Sequence, residues 1–314
     1  MPASPPSPRA EPRAAAGRPG RSGNGRRWLP WLLLAPGLLW LLVLQLLPLL
    51  ALVPLSLSEP VDRFRLDTVF TGRLQTYAEV LLLYGGILLR SFRLAAIATL
   101  LGLWIAYPLA WMIRFRGGRW KGVLLALVVL PFFSSYLVRA IAWSTLLADQ
   151  GPLLLLLRQL GLTTPLQQLG VLVEGRLLST PAAVIGGLTY NALPFLVLPL
   201  VVAMERIDPL LLEAAADLHA TALQRFRRVE WPLTRPGVIS GVLLSLIPAA
   251  GDVVNPRFLG GPNDTMIANT IETLLLVQHQ APHAAALTLL LMVLITAAVW
   301  PQLRRGALEE LPLP

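Results

Sequence analysis

Long runs without a single Asp, Glu, Lys or Arg divide this chain. Trp28 to Ser58 is one, and Leu94 to Ile113, Leu177 to Met204 and Thr273 to Leu303 are others. Two shorter runs, Gly122 to Val138 and Pro236 to Gly251, each stop at one charge, Arg139 and Asp252, beyond which apolar character resumes. A helix needs about 20 apolar residues to cross a hydrocarbon core of about 30 Å. The pattern therefore predicts six spans centred roughly on residues 42, 103, 133, 191, 246 and 292. The expected organisation is a disordered tail over 1–27, a first span over 28–56, a core over 88–303 that includes a polar segment at 205–235, and a tail over 304–314.

Composition agrees with lipid as the solvent. Of 314 residues, 55% are hydrophobic and 14% charged, and the mean hydropathy is +0.65. A soluble domain of this length needs more polar surface. The loops over roughly 57–92, 143–177 and 256–280 are too short for an independent core. Within the second, LLLLLRQLGL (153–162) reads as a short surface helix.

Charge then orients the spans. The first 27 residues, the loop 114–121, the segment 205–235 and the C-terminal tail carry 6, 4, 5 and 2 Lys or Arg, 17 of the chain's 26. Basic loops stay in the cytoplasm, so both termini and the 205–235 segment are expected there. This topology also accounts for the basic excess, so no nucleic-acid partner is invoked. The chain has no cysteine. It shows no P-loop, no H-E-x-x-H and no G-x-S-x-G. His279 and His283 are four apart with Pro282 between them, and no carboxylate sits where a zinc protease needs its base, so they read as ordinary residues at the outer end of the last span. No catalytic residue, metal site or cofactor is expected.

The remaining feature is the polar stretch DPLLLEAAADLHATALQRFRRVEWPLTRPG (208–237 region). Asp208-Pro209 is a helix start. Thr221 and Gln224 form a capping box for a second helix, which Pro232 is expected to end, with helix resuming at Thr234–Gly237. Arg225, Arg227 and Arg228 supply a basic edge.

The pattern E-A-A-x-x-x-G followed by I-x-L-P resembles the permease subunits of bacterial ABC importers. Here it reads Glu213-Ala214-Ala215-Ala216-Asp217-Leu218-His219 and Val229-Glu230-Trp231-Pro232. LPFFSSYLVRAIAW (130–143) and IPAAGDVVNPRFLGGPNDTMIANTIE (247–272) are similar to the spermidine/putrescine branch. The resemblance implies an all-α, six-helix, MetI-like permease of the bacterial inner membrane. It would form half of a polyamine pathway, with a second permease, a cytoplasmic ATPase and an extracytoplasmic binding protein as partners. Relatives that move opines, aminophosphonates or ferric iron share the loop motif, and a secondary transporter is the alternative of a different class. Glu213, Ala214, Ala215, Asp217, His219, Arg225, Arg228 and Pro232 are then the ATPase-coupling residues. His219 departs from the family's Gly, at a corner where Gly tolerates φ > 0.

Asp252, Arg139, Tyr136 and Trp143 are candidates for the pathway or its gate. A charge roughly 25 Å along a ~30 Å core needs a partner, water, or reach to the interface. Three readings stand: an Arg139–Asp252 ion pair, Asp252 as an attractor of cationic cargo beside the Tyr136 and Trp143 rings, or a pair that snorkels.

Overall fold

The computed structural model describes residues 29–61 and 67–309. The tail expected over 1–27 and the last residues beyond 309 lie outside them. The described elements, in order, are α1 (Leu29–Ser56), β1 (Ser58–Pro60), β2 (Thr68–Phe70), α2 (Gln75–Phe115), α3 (Lys121–Val129), α4 (Tyr136–Leu147), α5 (Pro152–Gln159) and α6 (Thr163–Gln168). There follow α7 (Pro181–Glu205), α8 (Pro209–Asp217), α9 (Ala222–Arg225), α10 (Trp231–Ala250), α11 (Val254–Leu259), α12 (Ile267–Leu276) and α13 (Ala281–Glu309). Six helical stretches among the described residues are long and apolar enough to cross a membrane. Residues up to Leu50 form one unit and those from Ala51 a second.

At its centre α2 and α10 pack on α7. Their contact faces are lined by small residues. On α2, Ala95, Ala98, Gly102, Ala106 and Ala110 recur every three or four residues and are buried, with Thr99 beside Ala98. Such a stripe lets backbones approach closely, the main means of packing helices in lipid. Gly237 is the tightest point. A Cβ there would lie 2.5 Å from the Ala203 Cβ and 2.7 Å from the Pro199 carbonyl oxygen. Thr189 adds a hydrogen bond from its hydroxyl to the Ala98 carbonyl at 3.2 Å.

The loops differ from the expectation. Residues 57–92 are not an open loop: β1 pairs antiparallel with β2, and α2 already begins at Gln75. The early turns of α2 are helical because Val80, Leu88 and their neighbours pack against Ile267, Leu274, Ala284 and Leu287. Arg90, which follows the charge-free stretch 80–89, donates to the Asn263 carbonyl and to the Thr265 carbonyl at 2.7 Å. Arg257 pairs with Glu272 across the α11–α12 connection, and this carboxylate raises the guanidinium's pKa. The short helix expected at 153–162 is α5, with Leu154 buried and Leu155 and Leu156 exposed.

The third span is broken. Its helical path starts in α3, tightens into a 3₁₀ turn at Leu130–Phe133, opens at Ser134 and Ser135 (ψ 152° and 137°), and resumes in α4. Pro131 has no N–H to continue the ladder, and the two serines turn extended. A single run centred near 133 is thus two helices meeting at a break.

Gly237→Val is expected to cost about 2 kcal/mol, as overpacking does in a filled core, and to lower the unfolding midpoint of the purified protein. Gly186→Ala should not lower it, since an added Cβ there meets nothing within 4 Å.

Candidate functional site

Two places gather the sequence-predicted residues: the polar module after α7, and a cavity beside the helix break.

The module is built from local signals. Asp208 accepts a hydrogen bond from the Leu210 N–H at 2.9 Å, and Pro209 follows as the first helical residue. At the other end of α8 the chain turns on His219, whose φ is +57°. The Ala220 N–H bonds the Ala215 carbonyl at 3.1 Å and the His219 N–H bonds that of Ala216 at 2.8 Å. This is the paired pattern that closes a helix on a left-handed residue, usually Gly. His219 therefore occupies the geometry that Gly takes without strain. The capping box follows at once: the Gln224 N–H reaches Thr221 Oγ1 at 3.3 Å, and Gln224 Oε1 accepts from the Thr221 N–H at 2.9 Å.

Pro232 does not end the second helix. The helix runs unbroken over Ala222–Ala250, 29 residues, through a π turn at Phe226–Glu230. In that turn the Trp231 N–H bonds the Phe226 carbonyl, five residues back. The wider turn absorbs both the proline's missing N–H and the bulk of its ring. Trp231 is seated against Tyr107 and Phe226, with ring centroids 6.1 and 6.2 Å away. The Tyr107 hydroxyl is 3.0 Å from that of Thr234, so α2 holds the module's second arm.

Glu230 is a residue that motif reasoning passed over. It is buried and lies 3.3 Å from the Arg225 Nε. Nothing local flags it, because the π turn alone brings the two together. By contrast α8 has no buried residue. Glu213, Ala214 and Asp217 are exposed, and so are Leu210, Leu211, Leu218 and Leu223 at 66, 50, 84 and 64%. Arg228 is exposed and Arg225 half-buried. A helix that is capped at both ends yet buries nothing of its own presents a ready-made surface for another chain.

The cavity has a volume of about 580 Å³ and lies between α4, α7 and α10. Asp252, Tyr136 and Arg139 line it, with Phe132, Asn191 and Phe195. Trp143 does not; it packs edge-on against Tyr190 at 5.5 Å. Asp252 is buried at 7% exposure. Its carboxylate accepts from the Tyr136 hydroxyl, the Asn255 side-chain amide, and the backbone N–H groups of Val254 (2.8 Å) and Asn255 (3.3 Å). It therefore also starts α11.

Arg139 makes no ion pair with Asp252. Its Nη1 donates to the carbonyls of Pro131 (2.6 Å) and Ser134 (3.2 Å) at the helix break, where the Pro131 oxygen also accepts from the Ser134 N–H and hydroxyl. Of the three readings, the ion pair fails, because the break supplies the guanidinium with nearer acceptors. Asn191, Asn255, Phe132 and Phe195 were not singled out from sequence. The one available signal was spacing: Asn191 and Phe195 share a face of α7, and Asn255 follows Asp252 by three.

Residues 98–303 match the family described as "Binding-protein-dependent transport system inner membrane component". The chain is 35% identical over 272 residues to the spermidine/putrescine transport system permease protein PotB of Haemophilus influenzae, covering 86% of this chain and 91% of the relative. To PotB of Escherichia coli it is 36% identical over 258 residues, covering 82% and 90%. Among solved structures, a chain of a bacterial ABC transporter that imports alginate aligns with a TM-score of 0.62 at 20% identity, covering 89% of this chain and 96% of that one. That likeness concerns the fold.

His219→Gly is expected to stabilise the module by about 1 kcal/mol, the penalty of a side chain in the left-handed region. Slower hydrogen exchange at the Ala220 N–H would register it, and faster exchange would mean that the imidazole holds the corner.

Proposed function

The chain belongs to the binding-protein-dependent transport system inner membrane components, and on that premise we propose that its cargo is a polyamine of the spermidine or putrescine kind. It is a permease subunit of an ABC importer. In this reading it forms half of the pathway beside a paralogous permease, receives cargo from an extracytoplasmic binding protein, and leaves ATP hydrolysis to a cytoplasmic partner. Both termini and the polar module face the cytoplasm, following the basic loops.

One observation carries the cargo reading: a buried carboxylate, Asp252, in a roomy cavity walled by Phe132, Tyr136 and Phe195. A carboxylate in a low-dielectric setting attracts a cation strongly. Aromatic faces accept an ammonium without removing its charge. Between them runs a methylene chain's natural surface. Cargo selectivity also depends on the binding protein that delivers it.

The module supports the coupling role. Glu213, Ala214 and Ala215, with Asp217 and the exposed leucines of α8, form the face offered to the ATPase, and Arg225 and Arg228 lie on the arm that follows. Because the π turn makes α9 and α10 one continuous rod, a push on the module is transmitted along α10 toward Asp252. His219 fixes the corner and Pro232 shapes the rod.

Two outcomes check this reading. Asp252→Asn keeps a good helix cap and removes the charge. Uptake of labelled spermidine should fall at least about tenfold, the equivalent of 1.4 kcal/mol, while the protein inserts normally; undiminished uptake would remove Asp252 from the pathway. Ala214→Trp, at an exposed position, should leave insertion intact and abolish co-purification of the ATPase subunit or its stimulation by cargo. Survival of both would defeat the coupling assignment.

A further inference from the structure

A second cavity of about 220 Å³ adjoins the first. It is lined by Leu109, Leu127, Val128, Leu193 and Pro194, and it reaches a turn or more closer to the Lys121 end of the broken span. Phe132, Arg139 and Asn191 line both cavities. They form the partition.

The surroundings of Arg139 are unlike those of a structural ion pair. Two carbonyl oxygens, of Pro131 and Ser134, accept from its Nη1 at 2.6 and 3.2 Å. Its guanidinium carbon lies 5.0 Å from the Phe132 ring centroid and 5.4 Å from that of Tyr136. Its Nε is buried and has no hydrogen-bond partner. Carbonyls and ring faces, with no carboxylate in contact, make a cage for a cation that must also be able to leave. A carboxylate would hold the guanidinium far more firmly.

We propose that Arg139 is a tethered cation that closes the passage between the two cavities by occupying a cage that accepts guanidinium or ammonium groups. An arriving ammonium carries the same kind of donors and takes the same carbonyls and rings. Arg139 is then displaced, and the two cavities join. Neutral solutes have nothing to exchange for the guanidinium, so the partition is also a charge filter. The displacement step rests on the cationic-cargo reading above; the closure itself does not.

The chain has no cysteine of its own, so Val128→Cys places one reporter in the second cavity. The full transporter, with its partner permease and ATPase, is reconstituted in lipid vesicles and exposed to a membrane-impermeant anionic thiosulfonate, which carries no ammonium group to exchange with the guanidinium. Labelling of this chain is read by mass. With Arg139 present, labelling is expected to be slow. With Arg139→Ala it should be at least about tenfold faster, the factor that 1.4 kcal/mol of lost closure gives. Arg139→Lys should remain slow. Millimolar guanidinium should return Arg139→Ala to the slow rate by refilling the cage, an effect that a merely structural arginine would not show. Labelling of Arg139→Ala at the parent rate, or no response of its fast rate to guanidinium, overturns the proposal. If Arg139→Ala does not assemble, Arg139→Gln replaces it under the same two criteria. Uptake by Asp252→Asn tests the cargo reading separately, so the two can fail apart.

Discussion

Inside hydrocarbon, a peptide N–H or C=O without a partner costs several kcal/mol, because no water is there to take it. Three irregular points among the described residues are placed and furnished according to that constraint. At the break in the third span a guanidinium from the next turn donates to the carbonyls of Pro131 and Ser134. The start of α11 is answered by the Asp252 carboxylate. The loop that carries Asn263 and Thr265 is answered by Arg90. The charges that interrupt the apolar runs are the pieces that let the backbone depart from a plain helix, and the cavity lies where two such departures meet.

The same rule shapes the polar module. Outside the membrane core a short helix has little packing to sustain it, and helices this short are marginal alone in water. Here both arms are stabilised at their ends by Asp208, Thr221, Gln224 and the left-handed turn at His219. The second arm is welded to α10 through the π turn and held to α2 by the Tyr107, Phe226 and Trp231 rings. The result is a rigid element whose first helix is left uncovered. Rigidity behind an exposed face is what transmission of a mechanical step needs, and a flexible loop would dissipate it.

Small residues complete the arrangement. α7 sits between α2 and α10 because Gly102, Gly237 and the alanine stripe leave room for it. With so little side-chain volume between them, a shift in one helix is passed to the next rather than absorbed. The module, α10 and the cavity are thereby parts of one packed body.

Much of this was legible in the chain alone. Charge-free runs are long-range, additive signals, and they determined six spans. Asp-Pro, Thr-x-x-Gln and a residue at a Gly corner are local signals, and they determined the module; that His219 itself takes the left-handed φ came from the fold. What the sequence could not decide depends on partners distant along the chain. Residues 75–93 look like loop until Ile267, Leu274, Ala284 and Leu287 cover them. Pro232 looks like a stop until a π turn absorbs it. Arg139 and Asp252 look like a pair by charge and depth alone. Only the folded backbone puts the carbonyls of the break nearer to the one, and a tyrosine, an asparagine and two amides nearer to the other, since hydrogen bonds in a low-dielectric interior go to the partners that geometry brings within reach.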